Sequence, residues 1–134
     1  MAIQLSVACR NARLDAIETE LGASPKLKIR TGTQPADCAA ADSGTVLATF
    51  DLPADAMAAA ASGAKAKSGT WQETAADATG TAPAHFRLYK NDGTTCVLQG
   101  TVGAGSGDLS LDSVNITVGQ QVTITTFTIT DGNA

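Results

Sequence analysis

The chain has 134 residues, of which 43% are hydrophobic, 4% aromatic and 16% charged, and its formal net charge is -4 at pH 7. This length predicts one domain that can bury roughly two-thirds of the surface of its unfolded chain. All nine lysines and arginines precede Asn91, so residues 91–134 carry only acidic charges. Because nucleic-acid-binding proteins present a basic surface, this distribution argues against contact with DNA or RNA.

Residues 1–24 are predicted to form an N-terminal arm and one helix, ahead of a single domain over residues 25–134. Ser6 can cap the start of the helix and Gly22 can end it. Apolar residues recur between these two at helical spacing, at Val7, Leu14, Ile17 and Leu21. The rest of the helix surface is charged, as a face exposed to water would be.

The first residues do not predict export or membrane insertion. Residues 1–9 lack the basic start of a signal peptide, and Arg10 ends the apolar run too early. No segment approaches the ~20 apolar residues of a membrane-spanning helix. The cysteines, Cys9, Cys38 and Cys96, are too dispersed for a zinc site. One disulfide with one free thiol is an open alternative, and three reduced thiols are the simpler expectation.

The middle of the chain predicts short strands separated by loops. Alternation of apolar and polar residues predicts strands over residues 27–31, 45–52, 64–72, 84–90 and 94–101. The sequence Asn-Asp-Gly at residues 91–93 predicts the turn of a hairpin between the last two strands. Residues 33–44 are predicted to form a loop, and the alanine-rich residues 54–61 a helical turn or two.

The end of the chain predicts a pair of strands. Residues 114–118 and 122–130 both alternate apolar and polar residues, with a glycine between them. The apolar phase changes between Ile124 and Phe127, which predicts a β-bulge at residues 125–126. With seven or eight strands and one helix, the expected fold is mainly β, an antiparallel β-sandwich of the jelly-roll type.

Few residues are candidates for catalysis, and no metal ion or cofactor is expected. His85 is the only histidine. It is predicted to face solvent on its strand, and a dyad with Cys96 across the hairpin is the alternative. Asp108 and Asp112 are predicted to anchor turns through their own backbone, with a calcium site or an acid–base pair as the alternative.

Two further pairs of residues have both a structural and a functional interpretation. Trp71 and Tyr89 are predicted to pack in the core, and the alternative is a platform on which sugars stack. Lys65 and Lys67 alternate around an alanine and are predicted to be exposed on an edge strand.

Seven segments, spread over nearly the whole chain, carry a resemblance to a known class of protein. They are residues 1–6, 12–18, 27–32, 62–71, 85–89, 100–103 and 126–133. These segments resemble small virion proteins from the head modules of tailed bacteriophages and prophages, among which capsid cement or decoration proteins are the nearest named role. The resemblance implies a jelly-roll β-sandwich, often dimeric, that clamps neighbouring subunits of the major capsid protein and has no catalytic motif.

The expected function is therefore to stabilise a phage capsid by binding the major capsid protein, as a homodimer and without catalysis, nucleic acid or membrane. The protein would be made in the host cytoplasm and lie on the outer capsid surface, which the acidity of residues 91–134 also favours. The expected partner-binding residues are Ile3, Leu5, Arg10 and Arg13. The alternative role for this helix is to close one end of the sandwich. The alternative function is that of a tail or baseplate sandwich protein that binds host carbohydrate, and an enzyme is a third hypothesis.

Overall fold

One helix and eight short strands make up the computed structural model, which describes residues 3–132. The elements are α1 (Val7–Leu21), β1 (Lys26–Arg30), β2 (Val46–Asp51), β3 (Ala64–Ala66), β4 (Trp71–Glu73), β5 (His85–Tyr89), β6 (Cys96–Gly103), β7 (Leu109–Leu111) and β8 (Val122–Thr130). The prediction of a mainly β protein with one N-terminal helix is confirmed.

Helix α1 begins and ends where its capping residues predict. The Ser6 hydroxyl accepts a hydrogen bond from the Cys9 backbone N–H at 3.2 Å. Gly22 follows the last helical residue with φ of 74°, and its N–H donates to the Glu18 carbonyl at 3.0 Å. This positive φ favours glycine at the end of a helix because glycine has no Cβ to clash. Leu14 is buried, as the helical spacing predicts.

The strands form a curled mixed sheet. Their order is β2-β1-β5-β6-β7-β8-β3, and β4 also pairs with β8. Every pair of neighbouring strands is antiparallel except β6 and β7, so the expectation of a wholly antiparallel sheet is wrong at that pair. The curl brings β2 against β4. Residues 76–80 hydrogen-bond to β2 and to residues 116–120, for example from Asp77 N–H to the Leu47 carbonyl at 2.8 Å.

The core lies on the inner face of the curled sheet. Leu27 and Ile29 of β1 point inward beside Leu88 and Phe86 of β5, and all four are at most 1% exposed. Phe86 meets Phe127 of β8 edge to face, with ring centroids 5.4 Å apart. Such a pair contributes about 0.5–1.5 kcal/mol beyond the area that it buries. Alternation along β1 and β5 therefore places their charged residues on the opposite face.

The predicted bulge in β8 is confirmed. Ser110 pairs with Thr126 and Leu111 with Ile124, so Thr125 is the extra residue. The Thr125 hydroxyl donates to the Ser110 carbonyl at 3.1 Å. The bulge lets apolar side chains on both sides of it face the core, which is the phase change that the sequence shows.

The predicted terminal strand pair is wrong. Residues 114–118 do not pair with β8, whose neighbours are β7, β3 and β4. Instead, Ile116 and Gly80 exchange backbone hydrogen bonds of 2.8 and 2.9 Å, and Gly119 N–H donates to the Ala76 carbonyl at 2.9 Å. Residues 76–80 thus take the place that a hairpin partner would have taken.

The alanine-rich residues 54–61 are not helical, contrary to their intrinsic preference. Three backbone N–H groups of this region donate to side chains of α1: Met57 to Glu18 at 3.0 Å, Ala60 to Asp15 at 2.9 Å and Gly63 to Asn11 at 2.9 Å. These long-range hydrogen bonds hold the segment extended, because a helix would need the same N–H groups for its own ladder.

The hairpin of β5 and β6 is confirmed, with its turn at residues 91–93. One carboxylate oxygen of Asp92 accepts hydrogen bonds from the backbone N–H groups of Thr94 and Thr95, both at 2.8 Å. Hydrogen bonds from Thr95 and then Thr94 lower the pKa of Asp92 to about 2. The aspartate therefore stays ionised, and a good acceptor for the turn, well into the acid range.

Candidate partner-binding surface and ionic clusters

The four residues expected to bind a partner differ in exposure and in contacts. Ile3 is 84% exposed, whereas Leu5 is half-buried. Arg10 donates to the Asp131 carbonyl at 2.9 Å, and the Arg13 guanidinium lies 3.2 Å from the Asp131 carboxylate. The structure thus brings Arg10 and Arg13 together at the end of β8. Their contacts fit the alternative in which the helix closes one end of the sheet.

His85 is fully buried, so the prediction that it faces solvent is wrong. The loop over residues 32–44 covers this face of β5, and His85 Nδ1 lies 3.1 Å from the Gly32 carbonyl. Burial lowers the pKa of His85 and favours its neutral form. The alternative of a dyad with Cys96 is also wrong, because Cys96 forms a disulfide with Cys38.

The disulfide also overturns the expectation of three reduced thiols. Cys38 lies in the loop over residues 32–44 and Cys96 begins β6, so the bond ties this loop to the sheet. Cys9 is the free cysteine and is exposed on α1. The open alternative of one disulfide and one free thiol is therefore the correct one.

A second link between this loop and the sheet is an ionic cluster around Asp42, which we call the Asp42 cluster. Its carboxylate accepts hydrogen bonds from Arg87 at 2.5 Å, the Tyr89 hydroxyl at 2.7 Å and Arg30 at 3.0 Å. Arg87 is 2% exposed and also donates to the carbonyls of residues 37 and 40. The loop thus supplies hydrogen-bond acceptors to both buried guanidinium groups, which indicates a structural role.

Protonation in the Asp42 cluster follows from burial and charge together. Burial alone would raise the pKa of Asp42, but hydrogen bonds from Tyr89 and Arg87 and the charge of Arg30 lower it. Burial raises the pKa of Tyr89, and the hydrogen bond to Asp42 raises it further. At neutral pH the cluster therefore holds an ionised aspartate and a neutral tyrosine.

A second ionic cluster joins α1 to β3, and we call it the Lys65 cluster. The Lys65 ammonium lies 2.8 Å from Asp15, 2.8 Å from Glu18 and 2.9 Å from the Ala58 carbonyl. Lys65 is 1% exposed, so the prediction of an exposed edge lysine is wrong for this residue. Burial alone would lower the pKa of Lys65, but hydrogen bonds to Asp15 and Glu18 raise it. The amine stays charged and cannot act as a nucleophile at neutral pH.

Replacing Asp15 by asparagine together with Glu18 by glutamine should lower the stability of the protein, because the buried ammonium of Lys65 loses its counter-charges. Urea unfolding at pH 7 measures the loss. Adding Lys65→Met to this double variant should recover most of it, and a triple variant as unstable as the double one would contradict the assignment.

The same cluster predicts that the protein loses stability as the pH falls from neutral to acid. The hydrogen bond from Lys65 lowers the pKa of Asp15, and it also lowers the pKa of Glu18 against the opposing effect of burial. A carboxylate with a lowered folded-state pKa contributes stability at neutral pH that is lost as pH falls through that pKa. The Lys65→Met protein should therefore lose less stability between neutral and acid pH than the unmodified protein does.

The aromatic residues proposed as a sugar platform are core residues. Trp71 is 1% exposed and Tyr89 is fully buried. The Trp71 indole N–H donates to the Ala56 carbonyl at 3.1 Å, so its polar atom is satisfied inside the protein. The packing interpretation is confirmed, and neither ring is accessible to a sugar.

The two aspartates near β7 anchor the backbone, but through threonines of β6 and β8 and not within their own turns as predicted. Asp108 accepts hydrogen bonds from the N–H and the hydroxyl of Thr101, both at 2.9 Å. Asp112 accepts from the Thr123 N–H at 3.2 Å. Within residues 3–132, no three histidine, cysteine, aspartate or glutamate side chains are grouped in a way that could hold a metal ion.

Sequence reasoning missed the central residues of both ionic clusters, Asp42 and Lys65. Asp42 lies in a loop of ordinary composition, and Lys65 lies on a strand whose alternation is typical of an exposed edge. The sequence does place Asp15 and Glu18 three residues apart on one helix face, but it does not reveal their partner.

Comparison with known proteins identified no relative of this chain. The chain matches no protein-family model, no curated protein and no protein of solved structure. In the part of the chain that the structure describes, no helix has the length and apolar character needed to cross a membrane.

Proposed function

We propose that the protein is a bacteriophage capsid cement or decoration protein, which stabilises the shell by binding the major capsid protein without catalysis. The resemblance of seven sequence segments to phage virion proteins suggests the role. The observation that supports it in the structure is Ile3, an isoleucine 84% exposed just ahead of a helix that is firmly tied to the sheet. Burial of this exposed apolar side chain in a neighbouring subunit would contribute free energy to binding.

The finer features of the proposal follow from the same resemblance. They are a jelly-roll arrangement of the sheet, a homodimer, and a position on the outer capsid surface of a particle made in the host cytoplasm. Leu5, Arg10 and Arg13 remain proposed contact residues, and the Arg13 side chain is 60% exposed despite its contact with Asp131. A dimer that bridges two capsid subunits would make its second contact intramolecularly, so modest contacts would suffice.

The proposal is tested by measuring how well point variants bind to shells. Deletion of α1 is unsuitable because it would also affect folding. Removing residues 1–22 would also remove the counter-charges of Lys65 and confuse unfolding with loss of binding. The variant is instead Ile3→Asp, and Val118→Asp is its matched control, since Val118 is 59% exposed. Shells of the same phage that lack this chain are mixed with each protein and sedimented. We expect binding to fall at least tenfold for Ile3→Asp and to stay unchanged for Val118→Asp.

A count of copies in intact particles tests the role independently of the arm. Quantitative mass spectrometry of purified particles should find the chain in amounts comparable to the major capsid protein. A few copies per particle would indicate a tail or baseplate component instead, and absence from particles would refute the proposal.

A further inference from the structure

The loop over residues 32–44 covers part of the outer face of β1 and β5 without adding to the hydrophobic core. None of its residues is fully buried, and none belongs to the apolar cluster at the centre of the protein. The Cys38–Cys96 disulfide and hydrogen bonds between polar groups hold it to the sheet. A segment with few buried apolar contacts opens at a lower free energy than the core of its domain does.

The hydrogen bonds between this loop and the sheet have their donors on the sheet and their acceptors on the loop. The donors are side chains of three neighbouring strands, Arg30, Arg87, Tyr89 and Gln99. The acceptors are the Asp42 carboxylate and the carbonyls of residues 35, 37, 40 and 43. Without the loop, the sheet would therefore present two guanidinium groups, a phenol O–H and an amide N–H to solvent. Such a set of donors binds anions.

The donors lie on strands that do not depend on the loop for their position. Strands β1 and β5 are neighbours inside the sheet, and their inward side chains are core residues. The Arg87 side chain is also oriented from within the sheet, because its Nε–H donates to the Gln99 side-chain oxygen at 3.0 Å. Departure of the loop would thus uncover an arrangement of donors that is already formed, and a site formed in advance binds at a lower entropic cost.

Asp42 occupies this arrangement of donors as an acidic ligand would. One of its carboxylate oxygens accepts from Arg87 at 2.5 Å and from the Tyr89 hydroxyl at 2.7 Å, and the other accepts from Arg30 at 3.0 Å. The Arg87 guanidinium also donates to the carbonyls of residues 37 and 40, at 2.7 and 3.0 Å. The donors thus fit a carboxylate accompanied by backbone carbonyls, so an acidic peptide segment satisfies more of them than a free anion does.

The Cys38–Cys96 disulfide controls how firmly the loop holds this position. Cys38 is four residues from Asp42, and its bond to β6 keeps the local concentration of the Asp42 carboxylate at the site high. A dithiol reductant transfers two electrons and two protons to the bond, which yields the thiols of Cys38 and Cys96, and the dithiol is itself oxidised to a disulfide. The loop is then held by polar contacts alone, for which an external carboxylate can compete.

We propose that the loop over residues 32–44 is a redox-controlled cover, and that reduction of the Cys38–Cys96 disulfide makes Arg30, Arg87 and Tyr89 available to an aspartate-bearing segment of a partner protein. In the oxidised protein, Asp42 takes the place of that ligand. This inference goes beyond the proposed capsid function and does not depend on it, because it rests on the contacts of this loop alone.

The probe is a blocked peptide with the sequence of residues 33–43 and serine in place of Cys38, TQPADSAAADS, since this loop shows how the site holds an acidic segment. Binding is followed through the NMR signals of the Arg87 side chain at peptide concentrations up to about 5 mM, which detect weak complexes. We expect binding to the protein reduced with dithiothreitol to be at least about tenfold tighter than to the oxidised protein. Equal binding by the two forms, or no binding to the reduced form, would overturn the proposal.

A second peptide and a protein variant test the role of the Asp42 carboxylate. The peptide with Asp42→Asn should bind the reduced protein at least about tenfold more weakly. Conversely, reduced protein with Asp42→Asn in its own loop should bind the original peptide more tightly than the reduced unmodified protein does, because its loop competes less well. The circular dichroism spectrum of the reduced unmodified protein should stay β-rich. Unfolding of the whole domain on reduction would contradict a cover that opens locally.

Arg87→Met and Lys26→Met separate the site from a general attraction of charge. Both variants remove one positive charge from the same face of the sheet, but Lys26 pairs with Asp51 and not with the loop. In the reduced protein, Arg87→Met should abolish peptide binding and Lys26→Met should leave it unchanged. Equal losses in the two variants would refute the site. If Arg87→Met does not fold, Tyr89→Phe takes its place, since it removes only the hydroxyl that donates to the carboxylate and should weaken binding about threefold.

A second copy of the chain is the competing occupant of the uncovered site. If reduction makes the protein dimerise, and the peptide competes with this dimer, the loop of another copy fills the site. Sedimentation velocity of the reduced protein at several concentrations measures this, and we expect a monomer-to-dimer ratio that reduction does not change. Dimers that form only on reduction would overturn the proposal of a partner segment.

Discussion

Asp42→Ala is expected to destabilise the protein by about 3 kcal/mol and to release the loop over residues 32–44. Without this carboxylate, the guanidinium groups of Arg87 and Arg30, which are 2% and 7% exposed, remain buried with no counter-charge. Breaking a buried ion pair by removing one partner costs about 3–5 kcal/mol. The lower end applies because Asp42 itself is 38% exposed, so water can replace part of its interaction.

Urea unfolding measures this loss, and Asp51→Ala is a matched control. Asp51 pairs with Lys26 at the surface and is 75% exposed, so its removal should cost less than about 1 kcal/mol. A cycle that combines Asp42→Ala with Arg87→Met isolates the pairwise term, and we expect the double variant to be more stable than the sum of the single losses implies. Strictly additive losses would show that Asp42 and Arg87 do not stabilise each other.

Removal of the Cys38–Cys96 disulfide is expected to cost about 2–4 kcal/mol. The two cysteines are separated by 58 residues, and a bond that closes so long a loop restricts the unfolded chain by about 4 kcal/mol in the chain-entropy model. Measured values usually fall below this figure because the unfolded chain keeps some structure. The effect should be a lower urea midpoint in the protein with both cysteines replaced by alanine.

Redox conditions give a second measurement of the same bond. Adding dithiothreitol should lower the midpoint of the unmodified protein to that of the double alanine variant and leave the variant itself unchanged. Cys9→Ala is the control, since Cys9 is exposed and unbonded, and it should behave as the unmodified protein does. Three reactive thiols in the native protein without reductant would rule out the disulfide.

Features that depend on neighbours in the sequence were predictable. Ser6 and Gly22 mark the ends of α1 because helix caps act on backbone groups within one turn. The bulge at Thr125 was visible because a single extra residue changes which positions face the core. The hairpin of β5 and β6 was visible because its turn has Asp92 and Gly93 in sequence.

Features that depend on distant partners were not predictable from local pattern. Lys65 is buried because Asp15, 50 residues earlier, supplies a counter-charge, and Arg87 is buried because Asp42, 45 residues earlier, does the same. Alternation assigns Arg87 to the outer face of the sheet, which is right, but Lys65 lies on the same face as its pairing partner Ile129, which α1 covers. Local pattern cannot show that a helix or a loop covers a face of the sheet.

The same distinction between predictable and unpredictable features applies to the exposed arm and to the lengths of the strands. The exposure of Ile3 agrees with its position in an arm ahead of the helix cap. The shortness of β7 compared with its two neighbours, β6 and β8, had no sequence signal. The length over which strands pair is visible only when the pairing of the whole sheet is known.

The side chains of Asn11, Asp15 and Glu18 on α1 have a consequence for solubility. They occupy backbone N–H groups along residues 57–63, the segment that borders β3 at one end of the sheet. An unpaired row of N–H groups at a sheet edge invites intermolecular pairing and aggregation. Here side-chain oxygens of the helix accept hydrogen bonds from those N–H groups. This end of the sheet is therefore closed to uncontrolled self-association.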